Sequence, residues 1–143
     1  AYTGIEQVTF GVEDMDAARR FCADWGLRPV SDAPDRHEWA TQDDGRVVVM
    51  AKDDPRLPPA IEPGNTVREI TWGVSDESAL REAIARTGAD AEARLSDPNG
   101  LALRLAVSTR RTVVAQPTPV NAPGNPSRID RRSPVHKRVE PIK

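Results

Sequence analysis

Cysteine is almost missing from this 143-residue chain. Cys22 stands alone, so no disulfide can close within the chain, and a reducing compartment, the cytoplasm, is expected. Histidine is nearly as scarce, with only His37 and His136, and a lone histidine is more often a surface or hydrogen-bonded residue than a ligand. No apolar run approaches the roughly 20 residues that a membrane helix needs. Strand-like sequence begins by Ile5, so no signal peptide is expected. Residues 109–143 contain no Trp, Tyr or Phe but six prolines. Such a segment cannot form a core of its own and reads as an extended arm or interdomain linker. It also lacks the stacking groups and dense basic block of a nucleic-acid binder, so neither nucleic acid nor membrane is an expected partner.

Charge is unevenly spread. Residues 1–108 hold 12 Lys/Arg against 20 Asp/Glu, a balance of −8, while residues 109–143 hold 8 basic residues against 2 acidic ones, a balance of +6. A basic arm on an acidic body is expected to lie on that body, on a neighbour or in water.

Within the body, Val8-Thr9-Phe10-Gly11-Val12-Glu13-Asp14 returns 62 residues later as Ile70-Thr71-Trp72-Gly73-Val74-Ser75-Asp76. The offset still holds at Gly26 and Gly88. Residues 1–108 therefore read as two copies of one supersecondary unit, spanning 5–51 and 67–107.

The first copy opens with alternation over Ile5–Val12, a strand with Gln7 and Thr9 on one face and Val8, Phe10 and Val12 on the other. Asp14 is placed to cap a helix. Met15, Ala18, Phe21, Cys22 and Trp25 recur at helical spacing and form one face expected to pack in the core, ending at Gly26. Strands are expected at 27–30, at 36–41, where His37, Trp39 and Thr41 share a face, and at 46–51 after the Asp44-Gly45 turn. Residues 52–65, with four prolines, connect the copies. The second copy repeats the strand (67–74), the Asp76 cap and a helix to Gly88. Two short strands are expected between Ala89 and Ser96. The Asp97-Pro98-Asn99-Gly100 turn leads into a closing strand over 101–107. The expected fold is α+β: two tandem βαβββ units forming a curved mixed-sheet cup.

This order of elements, with a Gly-Val-x-Asp step in each copy, resembles the vicinal oxygen chelate superfamily, which includes glyoxalase I, bleomycin-resistance proteins, methylmalonyl-CoA epimerase and type I extradiol dioxygenases. Asp97-Pro-Asn-Gly-Leu-Ala-Leu-Arg-Leu105 is similar to the Asp-Pro-x-Gly-x-x-Ile-Glu-Leu signature that closes the family's second unit. The resemblance implies a cup in which His or Glu side chains hold a divalent metal that acts as a Lewis acid. Carried over residue by residue, the four ligand positions fall on Gln7, Val49, Glu69 and Arg104. Of these only Glu69 is a competent ligand, and Arg104 repels a cation. No metal is expected in this segment, and the resemblance places Fe(II) or another divalent ion in a partner domain. Two expectations stand for Glu69 and Arg104: they pair, with the guanidinium standing where the cation would be, or both are ordinary solvated charges.

The family's two-domain extradiol dioxygenases carry a metal-free N-terminal domain before the catalytic one. The resemblance therefore implies a non-catalytic N-terminal domain supporting a metal-bearing domain that acts on catechol-type aromatics, with a second domain of this fold or a second copy as partner. The alternative is a stand-alone metal-free protein of the bleomycin-resistance type, in which Trp39 and Trp72 join the cup and stack on a small aromatic ligand.

Overall fold

The computed structural model describes residues 1–114. Of the arm expected over 109–143, residues 115–143 lie outside the described residues. The elements run β1 (Tyr2–Val12), α1 (Met15–Trp25), β2 (Arg28–Ala33), β3 (Arg36–Ala40), β4 (Arg46–Ala51), β5 (Thr66–Val74), α2 (Glu77–Thr87), β6 (Arg94–Ser96) and β7 (Ala102–Val107). All seven strands form one mixed sheet, in the order β2-β3-β4-β1-β5-β7-β6.

The two copies meet along β1 and β5, which pair antiparallel. In each copy the opening strand pairs parallel with the closing one, β1 with β4 and β5 with β7. A parallel pair needs a long crossover, and the helix of each copy supplies part of it. Both helices begin and end as their sequences require. Asp14 accepts from Ala17 N at 2.9 Å and Asp76 from Ala79 N at 2.8 Å. Gly26 and Gly88 end the helices at φ of 92° and 72°, left-handed backbone that glycine adopts without a Cβ penalty. The second copy falls short of a full repeat. Residues 89–93 hold a turn instead of the first of the two expected strands, and only β6 forms. Asp90 organises that turn by accepting from Glu92 N and Arg94 N.

The helices lie on one face of the sheet. Under α1, Val12, Cys22, Trp39 and Val49 form a core, and under α2, Val74, Ala83, Ala93 and Leu105 form its counterpart. Two aromatics expected in the first core are not in it: Phe21 is 63% exposed and Trp25 58%. The helix turns about 100° per residue, so Met15, Ala18 and Cys22 define the inward line, whereas Phe21 sits about 90° around from its middle. Phe21 and Trp25 stack on each other instead, with ring centroids 5.8 Å apart.

The first residues of the arm lie against the body. Arg110 Nη2 donates to Thr3 O at 2.6 Å, and its Nε lies 3.2 Å from Glu6. Arg111 N donates to Asp43 O at 2.9 Å, and its Nε lies 3.2 Å from Asp44. Where the described part of the basic segment meets the acidic body, it is held by carboxylates. Among the described residues no helix is long and apolar enough to cross a membrane.

Candidate functional site

The face opposite the helices is lined by polar residues at its centre. Because side chains alternate along a strand, Gln7 and Thr9 of β1 point to this face together with Glu69 of β5 and Arg104 of β7. They line a cavity of about 530 Å³ with Arg36, Arg56, Asp90, Arg94 and Ser96 at its edges. Register aligns them in rows across the sheet. Gln7 stands opposite Thr71, Thr71 opposite Arg104, and Arg104 opposite Arg94. One step along, Thr9 stands opposite Glu69 and Glu69 opposite Ala102.

The first copy's side of the cavity is apolar. Val48 and Met50 form a small core with Leu57, which comes from the 52–65 connection. Arg68 holds that connection down, its Nε donating to Pro58 O and its Nη1 to Lys52 O, each at 2.8 Å.

Three of the six residues expected in the cup are elsewhere. Val49 and Trp39 are buried under α1, and Trp72 shares the helix face with its neighbour Leu105. In β4 the residues facing the cup are Val48 and Met50, one position to either side of Val49. Gln7, Glu69 and Arg104 do come together, but Glu69 and Arg104 do not pair. The guanidinium beside Glu69 is that of Arg94, with Nε 3.6 Å from Oε2, outside hydrogen-bond length. The cause is β6, whose pairing with β7 brings Arg94 to the cup. Sequence reasoning passed over Arg94, although the step from buried Ala93 to exposed Arg94 is an in-out alternation.

This donor set does not fit a divalent metal ion. Lewis-acid sites take about three protein ligands, and the four positions carry an amide (Gln7), an apolar side chain on β4, one carboxylate (Glu69) and a guanidinium (Arg104). Among the described residues no group of three or more His, Cys, Asp or Glu side chains could hold a metal. His37 is buried under α1, with its Nε2 3.5 Å from Arg19 Nη2 and 3.5 Å from Asp32 Oδ1. Cys22 offers no nucleophile to the cup, since it belongs to the α1 core and burial pushes its thiol up.

Two loop carboxylates titrate below the usual range. Asp54, beside the cup wall, is lowered to about 2 by the guanidinium and the N–H of Arg56. Asp43 is also lowered. Burial acts to raise it but is outweighed by the Thr41 hydroxyl, the Gly45 N–H and the Arg110 charge.

No protein-family model matches the sequence, and no curated protein does either. Solved structures do match. The Mn(II)-bound glyoxalase from Novosphingobium aromaticivorans aligns with 79% of this chain at 25% identity and a TM-score of 0.52. An extradiol ring-cleaving dioxygenase from B. fuscum aligns with 78% of it at 14% identity and a TM-score of 0.58. The chain spans 42% of the glyoxalase chain and 34% of the dioxygenase chain. With the doubled unit, the mixed seven-stranded sheet and the polar cup opposite the helices, these likenesses give the chain the glyoxalase/extradiol-dioxygenase fold, that of the vicinal oxygen chelate superfamily.

Proposed function

We propose that this chain is the metal-free, non-catalytic N-terminal domain of a glyoxalase/extradiol-dioxygenase-like protein, working beside a metal-bearing domain that acts on catechol-type aromatics. The observation that carries this reading is the donor set: Arg104 stands where the family's closing carboxylate would be, and Glu69 is the one acid at the four positions. The share of the matched chains that this sequence spans supports a second domain. So does an apolar groove of about 650 Å³ between α1 and the sheet, flanked by the exposed Phe21 and Trp25. We assign this groove to that second domain, which would cover the two rings.

The test is metal retention. After exposure to Fe(II), Mn(II) or Zn(II) and desalting, the chain should keep far less than one ion per molecule and leave catechol intact. Stoichiometric metal that is lost in Glu69→Ala would overturn the reading. If the isolated chain instead forms a dimer that Phe21→Ser and Trp25→Ser dissolve, a second copy covers the groove and the assignment to another domain fails.

A stand-alone binding protein is the second reading, favoured by the size of the cup. Stacking by Trp39 and Trp72 is no part of it, because both lie off the cup.

A further inference from the structure

The cup holds an arrangement that is unfavourable by itself. Arg94 and Arg104 are directly opposite each other on antiparallel β6 and β7, and both line the cavity. Like charges in directly opposed positions on one sheet face repel. Glu69 relieves this only in part. Its contact with Arg94 runs through Nε at 3.6 Å, and Arg104 has no carboxylate within ion-pair distance among the described residues. The surroundings accentuate the charge. Four arginines line the cavity against Glu69 and Asp90, in a body that is otherwise strongly acidic. Two of these arginines are engaged elsewhere, Arg36 by Glu38 at 3.0 Å and Arg56 by Asp54 at 2.8 Å. Arg94 and Arg104 are the pair with guanidinium capacity to spare.

We infer that the cup binds a small organic carboxylate with an apolar body. The carboxylate would lie between Arg94 and Arg104, where planar guanidinium groups can engage it in two-pronged fashion and cancel their mutual repulsion. The body would rest on the Val48, Met50 and Leu57 wall across the cavity. Gln7 and Thr9, already joined by a 3.0 Å hydrogen bond, form the polar floor between the two ends. This rests on the metal-free reading, since a metal in the cup would claim Glu69 and the space beside it.

Benzoate, acetate and benzyl alcohol test the assignment by calorimetric titration of the full chain. Benzoate should bind saturably. Acetate, which lacks the body, and benzyl alcohol, which lacks the charge, should each bind at least tenfold more weakly. Arg94→Gln and Arg104→Gln should each weaken benzoate at least tenfold and retain the circular dichroism of the parent. Arg81→Gln, on α2 away from the cup, should leave it unchanged. The inference is overturned if benzoate does not saturate, if benzyl alcohol binds as well as benzoate, or if Arg81→Gln weakens binding as much as the cup variants. Failure here in a chain that also retains no metal removes this inference and leaves the proposed function standing. Retained metal removes both.

Discussion

Glu6 and Arg68 occupy the same place in the two halves of the molecule, 62 residues apart, and each is the extra residue of a bulge in the central strand pair. Ile5 pairs with Trp72 and Gln7 with Thr71, which leaves Glu6 unmatched. Thr9 pairs with Glu69 and Phe10 with Val67, which leaves Arg68 unmatched. Both side chains are buried, and each reaches the segment that follows the closing strand of the other residue's copy. Glu6 accepts from Ser108 Oγ at 2.6 Å and Thr109 N at 3.1 Å, and Arg68 donates to the Lys52 and Pro58 carbonyls. Space for each comes from the repeated glycine of the opposite strand. A Cβ on Gly73 would meet Glu6 Oε1 at 2.5 Å, and one on Gly11 would meet Arg68 Nη1 at 2.8 Å.

Gly73→Ala and Gly11→Ala should therefore each destabilise the fold, by about 1–3 kcal/mol as overpacked sites do. Gly73→Ala should cost more, because Thr3 Oγ1 also lies 2.5 Å from the added carbon. Urea unfolding measures both. Equal stability to the parent would mean that the two polar side chains swing aside freely.

Arg68→Ala should cost about 2–3 kcal/mol, since two carbonyls lose a charged donor in a buried setting. It should also loosen the 52–65 connection. Limited trypsin digestion is the readout: cleavage after Lys52 and Arg56 should speed up relative to cleavage elsewhere.

Acid should weaken the fold in part through the loop carboxylates. Asp43 titrates below its ordinary value in the folded chain. Its contribution to stability is complete above about pH 4 and is lost as pH falls through the folded value. Arg110→Gln removes one of the influences holding Asp43 down, so the acid unfolding midpoint should move to higher pH. An unmoved midpoint would show that Thr41 and Gly45 suffice.

Trp25 and Trp39 should separate cleanly. Trp39 is 6% exposed and Trp25 58%, so Trp39→Ala should cost about 3–5 kcal/mol and Trp25→Ala less than about 1 kcal/mol.

Arg104→Ala should change stability by less than about 0.5 kcal/mol, as expected of an exposed side chain away from buried networks. A loss of about 3 kcal/mol would instead indicate a buried pair with Glu69.

Much of the fold was legible because one unit is written twice. Thr-Gly-Val-Asp at a fixed offset marked β1 and β5, both helix caps and both left-handed glycines. The cup was harder to read. Val47-Val48-Val49-Met50 is apolar on both faces, because Leu57 covers one and α1 the other, so no alternation shows which residue faces the cavity. The bulges are equally silent, since an unmatched residue is defined by the partner strand. Arg94 was missed because residues 89–96 were divided into two strands. The α1 pattern gave the inward line correctly but drew its apolar face too wide, taking in Phe21 and Trp25.

The missing strand of the second copy leaves the sheet with unequal margins. On one side lies β2, six residues long and largely open to water, with Pro29 and the charged Arg28 and Asp32 along it. On the other lies β6, a three-residue stub. Unpaired backbone groups recruit strands from other chains, and among the described residues only one margin is long enough to do so. If two such molecules joined margin to margin through β2, the next free end would be a stub, so that mode of growth would terminate at a pair and could not run on into a filament.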